Sequence, residues 1–156
     1  MSALLSFIPS DQQEATAHAV SSMIRESGMG RYGSGWARWW ADEFSPSQIE
    51  RMFRESEHYA IVLNDDGDVA GSGFVRDGEV LAVFVSTDHP RVGLGARIVS
   101  WLAERSAVSL SAYIDEGNVP AEHAARGRFL RRWTHRSSPP ERARAMASVA
   151  PTMMRV

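Results

Sequence analysis

A buried strand followed closely by a glycine-started helix constrains this chain more than any other feature. The predicted strand is Glu79–Ser86, and the predicted helix Gly93–Arg105 begins with Gly93-Leu94-Gly95. Glycine allows a ligand to approach the backbone closely, and the unpaired amides at a helix N-terminus favour an anion such as phosphate. The segment therefore predicts a phosphate-binding turn, and an ordinary strand-to-helix turn is the equally simple alternative.

Two familiar phosphate-binding motifs do not match this turn. The pattern GxxxxGK[ST] is absent, and GxGxxG fails because Ile98 stands where its third glycine belongs. All 17 residues of the Lys+Arg class are arginines, which excludes a P-loop lysine and a lysine Schiff base.

Composition restricts the class of protein further. The 156 residues suffice for one core, so we expect residues 1–156 to form a single domain. A net charge of −2 argues against binding polyanions over the whole surface. The lack of cysteine excludes disulfides and thiol catalysis and fits a cytoplasmic protein. No apolar run approaches a membrane span, and the spacing of the histidines predicts no metal site.

The N-terminal part predicts an edge strand and a helix. Ala3–Ile8 is a short apolar run that ends at a proline, as edge strands often do. Ser10 or Asp11 can cap the helix, and Gly28 is expected to end it. Its inward face is predicted to comprise Ala15, Ala19, Val20, Met23 and Ile24.

A glycine-rich connector and two further helices are expected next. The connector is Gly28–Gly35, and Trp36–Phe44 predicts a short helix. Ser45 followed by Pro46 predicts the start of another helix, whose apolar face contains Ile49, Met52 and Phe53.

From Tyr59 onward the pattern changes to strands. An antiparallel meander of three strands is predicted over Tyr59–Leu63, Val69–Arg76 and Glu79–Ser86, with turns at Asn64–Asp68 and Asp77-Gly78. After the helix Gly93–Arg105, whose inward residues are Ile98, Val99, Leu102 and Ala103, a strand is predicted over Val108–Ile114 and a helix from Ala121. Phe129–Thr134 could continue that helix or begin a strand, and Ala147–Val156 could form a last strand.

This order of elements resembles the GCN5-related N-acetyltransferases. In that family a strand ending in valine precedes the first glycine of GxG by eight residues, as Val85 precedes Gly93 here. Asn118 and Ala121 are similar to the Asn and Ala that follow the family's next strand. The segment Asp66–Gly71 is similar to the family's "dGeivG" stretch.

The resemblance covers roughly Leu4–Arg132 and implies an α/β fold. Its central sheet would be mixed but mostly antiparallel, flanked by helices, with a splayed parallel pair formed by Glu79–Ser86 and Val108–Ile114. Members bind acetyl-coenzyme A (acetyl-CoA), with the pyrophosphate on the loop amides and the pantetheine arm between the splayed strands. They pass the acetyl group directly to an amine. The cofactor-binding residues implied here are Phe84, Val85, Arg91, Val92, Gly93, Leu94, Gly95, Ala96 and Asn118.

Two positions depart from the family pattern. Pro90 stands where the family has Arg or Gln, and proline has no amide to donate. Arg91 could supply the charge from the next position. Ala125 occupies the place of the family's tyrosine acid, so the acid comes from elsewhere or transfer proceeds without one.

Direct acyl transfer needs a base for the amine and an acid for the leaving thiolate. Glu79 is a candidate base that could act through water, and Asp88 and His89 are alternatives, although such residues more often have turn or capping roles. Tyr113 and His123 are candidate acids. Each also has a structural interpretation: Tyr113 as strand packing and His123 as a surface residue.

Three aromatic residues are candidates for the acceptor site because they lie between the first two helices, where this fold usually binds its substrate: Tyr32, Trp36 and Trp40. Core packing is the alternative for at least one tryptophan. The neighbouring acids Asp42 and Glu43 would favour a cationic amine.

The acceptor could be a small-molecule or protein amine. A basic cluster formed by Arg126, Arg128, Arg131, Arg132 and Arg136 leaves a nucleic-acid-linked amine open, although a solvated helix face is the commonest explanation of such a run. A non-catalytic acyl-CoA-binding module is a third possibility. The family resemblance also implies a possible homodimer.

Overall fold

A seven-stranded mixed sheet forms the centre of the molecule. The computed structural model describes residues 3–32, 42–88, 93–107, 110–115, 132–135 and 151–155. The strands are β1 (Ala3–Leu5), β2 (His58–Leu63), β3 (Val69–Arg76), β4 (Glu79–Val85), β5 (Ser111–Asp115), β6 (Arg132–His135) and β7 (Pro151–Arg155). They lie in the order β1-β2-β3-β4-β5-β7-β6. The helices of the described part that can be delimited are α1 (Gln13–Tyr32), α2 (Pro46–Glu55) and α3 (Leu94–Arg105), and Ser10–Gln12 forms a 3₁₀ turn.

The strand pairing confirms the predicted sheet. The meander β2–β3–β4 is antiparallel, and β1 lies at the edge against β2. The Asp77-Gly78 turn has positive φ at both residues, 51° and 76°, which matches the right-handed twist of a two-residue hairpin. Among the described pairs, only β4 and β5 are parallel.

The C-terminal strands resolve one open alternative. Residues 132–135 form β6, so the end of Phe129–Thr134 is strand rather than helix. The last strand is present as β7, which pairs antiparallel with both β5 and β6. It covers Pro151–Arg155 of the predicted Ala147–Val156, and the other residues of that range lie outside the described part.

Helix α1 differs from its prediction in both ends and in its face. It continues through Gly28 to Tyr32, so the prediction that Gly28 ends the helix is wrong. Ser10 and Asp11 do not cap it, because they lie within the 3₁₀ turn, whose N-cap residue is Pro9. The buried face comprises Ala17, Val20, Ser21, Met23, Ile24 and Ser27. Ala15 and Ala19 are exposed instead of facing inward, so a strictly apolar pattern missed the two serines.

Helix α2 starts as predicted. The Ser45 hydroxyl accepts a hydrogen bond from the Gln48 amide at 3.4 Å, with Pro46 in the first turn. Ile49 and Phe53 are buried, and Met52 packs beside them. Of the predicted helix Trp36–Phe44, Asp42 and Glu43 are helical and the preceding residues lie outside the described part.

The two faces of the sheet have different cores. Helices α1 and α2 pack on one face, which we call the aromatic face because it contains Phe53, Tyr59 and Phe74. Helix α3 packs on the other, the α3 face, where Ile98 and Leu102 contact small aliphatic residues. Ile98, Val99 and Leu102 are buried and Ala103 partly so, as the helical spacing predicts.

Candidate active site

The two parallel strands separate almost as soon as they meet. Within the part of the chain that the structure describes, strand β4 pairs with β5 at two positions, Glu79↔Ser111 and Val80↔Ala112. A bulge follows at once: Ala82 has a φ of 49°, and the β3–β4 register shifts between Ser72 and Phe74. The buried Ser72 hydroxyl donates to the Ala82 carbonyl at 2.9 Å. Among the described residues the rest of β4 therefore runs without pairing to β5, and we call the gap between the two strands the cleft.

The C-terminal end of β4 turns its backbone toward this cleft. Val85 lies opposite Gly71, and the Ser86 amide donates to the Ala70 carbonyl at 2.9 Å. This pattern makes Val85–Gly71 a non-hydrogen-bonded pair, so the amide and carbonyl of Val85 point away from β3. They are consequently directed to the side where β5 has already separated.

The bulge also decides which way the β4 side chains point. Leu81 and Ala82 both pack on the aromatic face, and alternation resumes with Val83 toward α3. Phe84 therefore packs on the aromatic face, edge-on to Phe44 with ring centroids 5.4 Å apart. The predicted cofactor residue Phe84 thus has its side chain on the α1–α2 side, whereas the Val85 side chain lies toward α3.

A helix start lies next to the cleft. Gly93 is the N-cap residue of α3, with a left-handed φ of 88° that favours glycine, and it makes no side-chain cap. The amides of Leu94, Gly95 and Ala96 belong to the first turn and have no intrahelical acceptor. A Cβ on Gly95 would lie 3.7 Å from Cγ2 of Val85, which places this turn against the end of β4.

Two glycines of β3 let α3 come this close. A Cβ on Gly73 would lie 2.5 Å from Cγ2 of Ile98, and one on Gly71 would lie 2.9 Å from Cδ1 of the same residue. Neither position has room for a side chain while Ile98 holds its place. The glycines therefore set the height of α3 above the sheet and, with it, the position of the Gly93 turn.

The comparisons with known proteins address this arrangement directly. No family model and no curated protein matches the sequence. Solved structures do match: an acetyltransferase of the GNAT family, the GCN5-related N-acetyltransferases, from Bacillus cereus has a TM-score of 0.70 at 12% identity, with 100% of this chain and 96% of that chain covered. The yncA protein of Salmonella typhimurium, solved with its cofactor acetyl-CoA, has a TM-score of 0.66 at 14% identity, with 100% and 93% covered.

The chain has the GNAT fold. Diaminobutyrate acetyltransferase from Paenibacillus lautus, solved with L-2,4-diaminobutyric acid and coenzyme A, is also similar, with a TM-score of 0.65, 13% identity and coverage of 99% and 95%. The fold implied by the sequence resemblance is thereby confirmed, including the splayed parallel pair.

Several predicted site residues can be placed on this GNAT scaffold. Glu79 opens β4, where it faces Arg76 across the hairpin and Ser111 on the β5 side. Tyr113 follows the last β4–β5 pair and so stands where the cleft opens. Val85, Gly93 and Gly95 lie together at the other end, as described above. Tyr32 is the last residue of α1.

Most of the remaining predicted residues fall outside the described part of the chain. They are Arg91, Val92, Asn118, His123, Trp36 and Trp40, together with His89, the two departures Pro90 and Ala125, and most of the arginine cluster. Within the described part, no group of three His, Asp or Glu side chains could hold a metal ion, and no helix is long and apolar enough to cross a membrane.

An ion-pair network lies at the hairpin end of the sheet, beside Glu79. Glu55 accepts from Arg51 at 2.7 Å and from Arg76 at 3.0 Å. The Arg51 hydrogen bond is the main cause that lowers the pKa of Glu55, and the same contact raises the pKa of Arg51. Arg76, the cross-strand neighbour of Glu79, is thus paired with α2.

Sequence reasoning missed two polar residues near the site. Ser27 on α1 donates to the Val85 carbonyl at 3.3 Å, and Ser72 holds the bulge. A search for apolar periodicity passes over serine. Ser27 could have been found because its helical spacing places it on the apolar face of α1, where a polar residue is unexpected.

Proposed function

We propose that the chain is an N-acetyltransferase that moves an acetyl group from acetyl-CoA to an amine. The observation that carries the proposal is the cleft between β4 and β5, with the outward backbone of Val85 and the uncapped start of α3 at the same end. A phosphate fits amides at a helix start, and an extended amide arm fits a strand edge whose backbone groups point outward. The GNAT structures solved with acetyl-CoA or coenzyme A support the same assignment.

The transfer step follows from the chemistry of a thioester. The amine nitrogen attacks the acetyl carbonyl carbon, so that a C–N bond forms and the C–S bond breaks. Glu79 is proposed to receive the amine proton through water, and Tyr113 or His123 to protonate the leaving thiolate. Hydrogen-bond donors near the carbonyl oxygen would stabilise the charge that develops there.

The acceptor is proposed to be a small-molecule or protein amine. The site of the acceptor would include Tyr32, Trp36 and Trp40, and Phe84 and Phe44 add an aromatic wall on the α1–α2 side. Diaminobutyrate, the substrate solved with the Paenibacillus lautus enzyme, is a sensible first member of an amine panel. A single domain and a cytoplasmic location remain part of this proposal, and the family resemblance leaves a homodimer open.

Calorimetric titration with coenzyme A tests the proposal. Gly93→Glu places a carboxylate at the proposed phosphate site and should abolish saturable binding. Gly67→Glu is a matched control because Gly67 has a similar φ of 86°, and a Cβ at either glycine would meet nothing within 4 Å. Equal loss in both variants, or no binding to the wild-type chain at millimolar coenzyme A, would refute the acetyltransferase assignment.

Turnover provides the second arm of the test. Release of free coenzyme A thiol is followed with acetyl-CoA and a panel of small amines. Glu79→Gln should lower kcat while binding of coenzyme A persists. A chain that binds coenzyme A but acetylates no amine would be a binding module.

A further inference from the structure

Ser27 links α1 to the end of β4 through a hydrogen bond from its hydroxyl. The side chain is 7% exposed, and its hydroxyl lies 3.3 Å from the Val85 carbonyl oxygen and 3.8 Å from the sulfur of Met23. The carbonyl is the better acceptor, because a thioether sulfur accepts only weakly. The Ser27 hydroxyl therefore donates its hydrogen bond to the Val85 carbonyl.

This contact places the Ser27 oxygen at the cleft. The Val85 carbonyl points away from β3, toward the side where β5 has separated. An atom that approaches this carbonyl along its lone pairs lies on the same side. The Ser27 oxygen is thus at the edge of the space into which the Val85 backbone projects.

The hydroxyl retains capacity to accept a hydrogen bond. A serine hydroxyl can donate one hydrogen bond and accept two, and the hydrogen bond that it donates goes to the Val85 carbonyl. Among the described residues, no donor is assigned to the Ser27 oxygen. A buried hydroxyl with unused lone pairs beside a cleft is suited to an incoming N–H, and its orientation is already fixed by the Val85 contact.

We propose that Ser27 binds a secondary amide of the pantetheine arm of coenzyme A. The inference rests on the proposed function, since it assumes that the arm occupies the β4–β5 cleft. Ser27 accepts the amide N–H, while its own proton holds the Val85 carbonyl in place. This role adds an α1 residue to a site otherwise formed by β4 and the start of α3.

Ser27→Ala tests the assignment when two ligands are compared. Coenzyme A carries the arm, whereas adenosine 3′,5′-bisphosphate keeps the nucleotide and lacks it. Loss of one hydrogen bond should raise the Kd for coenzyme A roughly two- to tenfold, with the Kd for the bisphosphate unchanged. Ser27→Cys, of similar size but a weak hydrogen-bonding group, should give the same selective loss and serves if the alanine variant folds poorly.

Ser21→Ala is the matched control. Ser21 lies on the same helix, is 2% exposed and likewise donates to a backbone carbonyl, that of Phe44, at 2.7 Å. Its loss should lower stability without changing the affinity for either ligand. Unchanged coenzyme A binding in the Ser27 variants, or an equal weakening of both ligands, would overturn the inference. Failure of the wild-type chain to bind coenzyme A would overturn the proposed function, and the Ser27 assignment with it.

Discussion

Two neighbouring residues of β3, Phe74 and Gly73, face opposite sides of the sheet and pack there in different ways. Phe74 is fully buried on the aromatic face, where its ring lies 5.4 Å from that of Phe53 and 5.9 Å from that of Tyr59. Gly73 faces α3, and Ile98 fills the space that a side chain would need. On the aromatic face, helices therefore pack against large aromatic rings of the sheet. On the α3 face, the helix packs directly against glycines of β3 that have no side chain.

The difference relates to what each face must position. Close packing against Gly71 and Gly73 fixes α3, whose first turn lies beside Val85. On the aromatic face, by contrast, Phe44 and Phe84 are only partly buried at the edge of the ring cluster. The α3 face thus sets the geometry of the proposed phosphate site, and the partly buried rings of the aromatic face lie on the side proposed for the acceptor.

The largest expected effect comes from breaking the aromatic face. Phe74→Ala removes a ring that is 0% exposed and leaves a cavity between Phe53 and Tyr59. We expect a loss of about 3–5 kcal/mol in the free energy of unfolding, measured by urea denaturation. Phe74→Leu should recover part of it. A loss below about 1 kcal/mol would show that the rings do not support this face.

Adding a methyl group on the α3 face should lower the free energy of unfolding less than Phe74→Ala does, but it should also weaken coenzyme A binding. Gly73→Ala forces Ile98 or α3 to move, because the new carbon would lie 2.5 Å from Cγ2 of Ile98. A loss of about 2 kcal/mol in unfolding free energy is expected. Displacement of α3 should also weaken coenzyme A binding, which Phe74→Leu should leave intact.

The atoms of Ile98 allow this prediction to be sharpened. Gly71→Ala meets Cδ1 of Ile98, whereas Gly73→Ala meets Cγ2. Ile98→Val deletes only Cδ1, so it should restore stability to Gly71→Ala and not to Gly73→Ala. Thermal melts of the two double variants measure the difference. Equal rescue of both would mean that α3 moves as a whole.

A smaller effect is expected from the polar tip of the aromatic face. The Tyr59 hydroxyl accepts a 2.7 Å hydrogen bond from the amide of Ile8, and both residues are buried. Tyr59→Phe keeps the ring but leaves that amide without its acceptor, for a cost of about 1–2 kcal/mol. Hydrogen exchange at Ile8 should accelerate selectively. Unchanged protection of this amide would contradict the contact.

Much of this fold could be predicted from hydrophobic pattern and turn chemistry. The meander, the Ser45 cap and the inward face of α3 follow from alternation, from Asp77-Gly78 and from helical spacing. The Gly93 turn was also visible, since a glycine pair after an apolar strand is itself a signal.

What could not be predicted depends on contacts between distant residues. The run from Val80 to Val85 is apolar throughout, so it carries no alternation from which the bulge at Ala82 could be inferred. Gly71 and Gly73 have no side chain whose polarity could predict which face of the sheet they lie on. That face is known only from their contacts with Ile98 in the structure. Gly28 was expected to end α1, but the helix packs across β4 and tertiary contacts outweigh the intrinsic preference of glycine.

The smallest expected effect lies at the solvent edge of the aromatic face, where Glu55 ties α2 to Arg76 of β3. Hydrogen bonding by Arg51 lowers the pKa of Glu55. A lowered pKa stabilises the fold above the ordinary glutamate value of about 4.3, and this contribution disappears as pH falls through the lowered value. Glu55→Gln should therefore melt slightly below the wild-type chain at pH 7 and together with it once the pH lies well below that lowered pKa. The gap should also shrink in 1 M salt, because exposed pairs are screened. A gap that persisted in acid would assign the effect to packing of the side chain instead of its charge.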